Sequence, residues 1–166
     1  MIGLGAAVAG LTGWRRAGVA VIAGAATAAA LPPLNLLPLL IAGFVPLVWL
    51  VDGSTSRRAA FAAGWWFGLG HFVALLHWLA FPLLVDADRF AWLVPFAVLV
   101  IPAGLAFLTG AATAAARALW RPGWRRAIVL AAAWTVAEWV RGHALTGFPW
   151  GLIGYAWSPS TALLQV

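Results

Sequence analysis

Apolar residues run through this chain in five long stretches, 17–31, 34–51, 59–85, 90–120 and 127–145, set apart by short polar or proline-containing breaks and followed by an irregular tail over 146–166. Most of these stretches approach or exceed the roughly 20 residues that an α-helix needs to cross a bilayer core. The pattern predicts an all-α fold, a polytopic membrane helix bundle of about five transmembrane helices forming a single domain over 1–166. Pro32 and Pro33 close the first stretch, because a proline ring removes a backbone donor and stops a helix. The next apolar run begins at once, so the first two helices read as a tight hairpin with Asn35 at its turn. The run over 90–120 is longer than a bilayer core of about 30 Å requires, and Pro95 and Pro102 in its first half predict a kink. The tail, rich in Gly, Pro and aromatics, reads as turns.

Composition sharpens this picture. Hydrophobic residues make up 64% of the chain and charged residues 8%, against about 45–50% and about 25% in ordinary soluble domains. The net charge of +6 comes from ten Arg, with no Lys, against Asp52, Asp86, Asp88 and Glu138. These Arg sit in clusters between apolar stretches, a topology signal, and do not form the polar basic face of a nucleic-acid binder. With the N-terminus cytoplasmic, Arg15, Arg16, Arg57, Arg58, Arg117, Arg121, Arg125 and Arg126 all fall on the cytoplasmic side, leaving Arg89 and Arg141 toward the outside. A secretory signal peptide is the competing reading of the first stretch, with Arg15-Arg16 as its basic start and Ala28-Ala29-Ala30 as a cleavage site. The apolar run that follows the cleavage point argues against it. The absence of Cys removes any disulfide framework and any thiol nucleophile from the chain.

Few residues offer chemistry. Glu138 and Arg141, three apart on one helix face, are costly inside a membrane and stand in two readings: a mutually neutralising structural pair, or an Arg that holds a lipid phosphate with the Glu orienting it. Trp134, Glu138, Arg141 and Leu145 share one stripe. His71 and His77 are six residues apart, about 120° from overlap on a helix, which does not suit a metal site, and no metal or cofactor is expected. Each reads as hydrogen-bonded within the bundle, and His143 as better placed to meet a substrate. Gly64 and Gly68 form a GxxxG spacing suited to close helix packing in lipid. Trp150 and Trp157, flanked by Gly and Pro, read as a rigid aromatic loop, whereas Trp14, Trp49, Trp92, Trp120 and Trp124 fall near helix ends, where indoles favour the interface.

The string Ala137-Glu138-Trp139-Val140-Arg141-Gly142-His143-Ala144-Leu145-Thr146-Gly147-Phe148-Pro149-Trp150, followed by Gly154-Tyr155-Ala156-Trp157, resembles the fifth-helix and outer-loop signature of bacterial apolipoprotein N-acyltransferases. Leu31-Pro32-Pro33 and the segment Gly64-Trp65-Trp66-Phe67-Gly68-Leu69-Gly70 leading to His77-Trp78 agree with it. The resemblance implies a multi-pass protein of the bacterial cytoplasmic membrane. In that family eight membrane helices carry an extracytoplasmic nitrilase-like domain, whose Glu-Lys-Cys triad moves an acyl chain from phospholipid to the N-terminal S-diacylglyceryl-cysteine of a lipoprotein. Lacking Cys and Lys, these residues are expected to be the N-terminal membrane half of a longer protein, inactive alone and with no catalytic residue of their own. The resemblance also implies that Glu138, Arg141, His143, Phe148, Pro149, Trp150 and Tyr155 line or shape the cavity through which the phospholipid donor and the lipoprotein acceptor pass. Two other readings remain open at this stage: a transporter half, though no internal repeat is evident, and the membrane anchor of a polyprenol-linked glycosyltransferase.

Overall fold

The computed structural model describes residues 3–145, 147–160 and 162, and among them every regular element is helical. In chain order these are α1 (Leu4–Ala9), α2 (Gly13–Ala28), α3 (Pro38–Asp52), α4 (Arg57–Leu76), α5 (Ala80–Leu84), α6 (Ala87–Phe90), α7 (Ile101–Ala118) and α8 (Arg125–His143). A 3₁₀ turn over His77–Leu79 runs α4 into α5, so Arg57–Leu84 is one apolar helical path of 28 residues. Ala87–Ala118 makes a second path of 32 residues. Both are long and apolar enough to cross a membrane, and α3 is a shorter apolar helix.

Local chemistry accounts for the ends and bends. Ser56 caps α4, its hydroxyl accepting from the Ala59 amide at 3.1 Å. Pro38 occupies the first turn of α3, where its missing N–H costs nothing. Before α7 the backbone passes through a 3₁₀ turn over Ala91–Leu93 and a π turn over Phe96–Val100, on either side of Pro95. The irregularity expected from the prolines thus takes the form of one tighter and one wider turn ahead of a regular helix. Asn35 lies at the α2–α3 turn in the left-handed region, φ 52°, with its amide donating to the Pro33 carbonyl at 3.1 Å.

Two details differ from the pattern-based expectation. α1 was not expected, and it packs on α3, where Gly5 approaches the Trp49 ring and Gly53 approaches the Ala9 carbonyl. α2 starts at Gly13, so Arg15 and Arg16 lie inside the helix and not ahead of it. Arg16 can do so because its guanidinium donates to the Leu50 carbonyl and to Ser54 Oγ.

α4 is the centre of the bundle, packed most extensively on α7 and α2. The seams are built from small residues and hydroxyls. A Cβ on Gly64 would meet Thr113 Oγ1 at 2.0 Å, and one on Gly24 would meet the Phe67 carbonyl at 1.9 Å. Across the same seam Thr113 Oγ1 donates to the Ala60 carbonyl at 2.8 Å and Thr109 Oγ1 to the Gly64 carbonyl at 2.9 Å. Such interhelical bonds contribute about 0.6 kcal/mol each where lipid surrounds the bundle. Phe67, Leu47 and Leu50 fill the interior, while Ile22, Ile41, Phe107, Ile128 and Val136 cover the outside. An apolar exterior of this extent is the opposite of a soluble surface.

Candidate functional site

The two ends of the bundle carry different chemistry. At the end where α2, α4 and α8 begin, a polar knot joins four helices. Asp52, at the end of α3, accepts from Trp120 Nε1 at 2.8 Å and pairs with the Arg126 guanidinium from α8. Arg117 of α7 donates to the Ser54 carbonyl at 3.0 Å, beside the Arg16 bonds already described. Arg57, Arg58, Arg121 and Arg125 stand exposed around this knot.

At the opposite end a bowl of about 730 Å³ opens between the α2–α3 turn, the end of α4 and the segment after α8. Pro33 and Leu34, then Trp78 and Phe81, then Trp150 and Tyr155 are among the residues of its wall. The Trp78 and Trp150 rings lie 6.2 Å apart between centroids. Most of this lining is apolar, with an indole N–H, a phenol and His77 as polar edges, the composition of a site for a largely apolar ligand.

The segment 147–157 forms one wall of the bowl, and α8 holds it in place. Arg141, 4% exposed, donates through Nη1 to the Trp150 carbonyl at 2.6 Å and points Nη2 at the Gly151 carbonyl, 3.5 Å away. The Arg141 main-chain carbonyl accepts from the Phe148 amide at 2.8 Å. Glu138 lies 3.6 Å from Arg141 Nη2, and its Oε1 accepts from the Ile153 amide at 2.9 Å. The Arg141 guanidinium also lies over the Phe72 ring, 5.1 Å from its centroid. A planar fork with five donors can span two carbonyls and a carboxylate at once, which a lysine cannot. Gly151 closes the contact. Its φ of 64° suits glycine, and a Cβ there would meet Leu75 Cδ2 at 2.1 Å.

The same segment borders a second hollow of about 500 Å³ between α3 and α8, lined by Phe44, Val48, Trp134, Glu138, Ile153 and Gly154 among others. It therefore divides bowl from groove. The residues singled out from the sequence take different places in this arrangement. Trp150 and Tyr155 line the bowl, Glu138 lines the groove, and Arg141 is buried beneath the segment. Phe148 and Pro149 lead from the end of α8 into the wall. His143 does not line the bowl: it is exposed at the end of α8, stacks on Trp139 at 4.6 Å and bonds to the Trp139 carbonyl. Thr146, which belongs to the sequence signature, lies outside the described residues.

Of the two other histidines, His71 is buried and shares a hydrogen bond of 2.8 Å with the Thr27 hydroxyl. His77 is exposed and bonds to the Ala74 carbonyl on its own helix. Trp78, Phe81 and Leu34 were not foreseen as wall residues. Nothing in a single apolar run tells which of its residues will meet a loop some 70 positions later.

The architecture defines a helical protein with two bilayer-length apolar helices, an arginine-bound end and an aromatic hollow at the other. The family model described as the apolipoprotein N-acyltransferase N-terminal domain matches residues 23–166. An apolipoprotein N-acyltransferase of Rhodopseudomonas palustris is 48% identical over 158 residues, covering 92% of this chain and 30% of the relative. One from Bradyrhizobium diazoefficiens is 52% identical over 92% of this chain and 29% of the relative, and one from Brucella suis is 46% identical over 93% and 31%. The chain belongs to the apolipoprotein N-acyltransferase family and corresponds to its N-terminal part, spanning about 30% of the length of these relatives.

Proposed function

We propose that these residues are the membrane half of an enzyme that moves an acyl chain from a phospholipid to the N-terminal S-diacylglyceryl-cysteine of lipoproteins. On this reading the chain forms one domain with about five spans: α2, α3, the α4–α5 path, the path ending in α7, and α8. It lies in the bacterial cytoplasmic membrane with its N-terminus in the cytoplasm. Eight of the ten Arg lie on or next to the helix ends that the polar knot joins, which supports placing that end inside. The bowl then opens toward the outer leaflet, where a phospholipid donor can reach it.

The observation that carries the proposal is the aromatic bowl at the arginine-poor end, in a chain of this family. Trp150 and Tyr155 would contact the acyl chains or the lipid-modified cysteine. Phe148 and Pro149 would fix the loop's course, while Glu138 and Arg141 would act as positioning residues that hold the wall. His143, exposed at the end of α8, would act at the rim and not in the bowl. The thiolate that acyl transfer of this kind requires would come from outside residues 1–166, which have neither Cys nor Lys.

The test is Trp150→Ala in the full-length enzyme. Trp150 is 60% exposed, so its loss should leave folding intact. Acyl transfer should fall about tenfold, equivalent to about 1.4 kcal/mol of lost binding in the transition state, with Trp150→Phe retaining most of the rate. Unchanged transfer by Trp150→Ala would remove the bowl from the lipid path.

A further inference from the structure

Among the described residues, Trp134 Nε1 is a buried side-chain donor without a partner, on a residue 6% exposed. The rest of the indole is well packed, edge-on to Phe44 at 5.0 Å and to Phe67 at 5.8 Å between centroids. A buried N–H of this kind is costly if it stays unpaired. Trp134 also lines a small cavity of about 10 Å³ between α4, α7 and α8, whose other walls include His71, Phe72, Thr109, Glu138 and Arg141. That volume is close to what a single water needs, provided that two or more polar groups meet it.

The polar groups around the cavity are already partly spoken for. Thr109 Oγ1 is bonded to the Gly64 and Ala106 carbonyls, and His71 Nδ1 to Thr27. Arg141 is committed to the loop carbonyls. Glu138 uses Oε1 for the Ile153 amide, which leaves its second carboxylate oxygen as the strongest acceptor at the cavity wall. We infer that this cavity is a site for one ordered water, which accepts from Trp134 Nε1 and donates to the Glu138 carboxylate. The water makes Trp134 a positioning residue for the Glu138–Arg141 pair, tying the pair that holds the bowl wall to the packed face of α4. This assignment does not depend on the acyl-transfer reading, since it needs only the fold.

The test uses the full-length protein in lipid nanodiscs with its tryptophan indoles labelled with nitrogen-15. The indole resonance lost in Trp134→Phe should lie downfield, where hydrogen-bonded indoles resonate, and should exchange magnetisation with a long-lived water. An upfield resonance, or a downfield one with no water cross-peak, would overturn the inference, the second outcome meaning that Nε1 has found a protein acceptor. If Trp134→Phe does not fold, Ala137→Val supplies the same decision, because Ala137 lines the cavity and added methyls would expel the water. One indole resonance should then move upfield and lose its water cross-peak. An indole spectrum unchanged by Ala137→Val would overturn the site.

Discussion

The two ends of this bundle hold their irregular segments by the same means, arginine on backbone carbonyl, but in different surroundings. At the knot, Asp52 and Arg126 keep side-chain exposures of 26% and 33%, Arg16 and Arg117 are part-buried, and Arg57, Arg58, Arg121 and Arg125 are exposed. At the bowl, Arg141 keeps 3% of its side chain exposed and sits beneath the segment that it holds. A half-exposed ion pair gains little because water already solvates both partners. A buried guanidinium has no such alternative, so all its donors must find protein acceptors and the loop that offers them is fixed with it. The knot can therefore be weakened at small cost, whereas the bowl wall depends on the buried Arg141 and the Glu138 beside it.

The largest effect should come from Arg141→Ala. It removes the donor to Trp150 and Gly151 and leaves the Glu138 carboxylate facing Phe72 and Trp134 with only the Ile153 amide as a direct partner. Loss of one partner from a buried pair costs about 3–5 kcal/mol. Because Glu138 is 20% exposed, the lower end of that range is expected. Unfolding of the full-length protein in mixed micelles would read the loss, and limited proteolysis should find new cleavage within 147–157. Arg141→Lys should restore only part of the stability, since an ammonium cannot bridge two carbonyls and a carboxylate in one plane. If Arg141→Ala were as stable as the parent and equally resistant to protease, the contrast between the two ends would collapse.

Asp52→Ala probes the other end. The substitution frees Trp120 Nε1 and Arg126, but both groups are part-buried and can turn to water or lipid headgroups. The expected cost is about 1 kcal/mol, with acyl transfer in the full-length enzyme unchanged within twofold. A loss of transfer as large as that caused by Trp150→Ala would mean that the knot governs the far end of the bundle through α3 and α8.

How far the sequence exposed this arrangement differs from one place to the next. Apolar runs and prolines located α3 and α8 to within about four residues, because a span of apolar residues has one low-energy outcome when its backbone must satisfy itself, whereas α4 and α7 fill only parts of the runs over 59–85 and 90–120, the rest being short or irregular turns. The Gly64–Gly68 spacing also reads through to the structure, where Thr109 and Thr113 fill the space it leaves. The Glu138–Arg141 pair was visible as an i, i+3 spacing, yet its partners were not. The carbonyls of Trp150 and Gly151 are backbone groups, which every residue carries and no side-chain pattern marks as acceptors. The start of α2 was misplaced for a similar reason, since the acceptors that admit Arg16 into the helix belong to Leu50 and Ser54 on another element. Long-range pairing through the main chain leaves no mark on side-chain pattern.

His143 sharpens the boundary of the site and should show the smallest effect. It lies in the last turn of α8, where its ring stacks on Trp139 and its Nδ1 bonds to the Trp139 carbonyl. Trp139 is on α8 itself, and neither it nor His143 lines the bowl. His143→Ala should therefore cost about a few tenths of a kcal/mol, as substitutions at exposed positions usually do, and change acyl transfer less than twofold. The comparison to make is with Tyr155→Ala in the same assay. Tyr155 is 44% exposed and lines the bowl, so its removal should slow transfer while leaving unfolding untouched. If His143→Ala slowed transfer more than Tyr155→Ala, the lipid path would run over the end of α8 and not through the aromatic bowl.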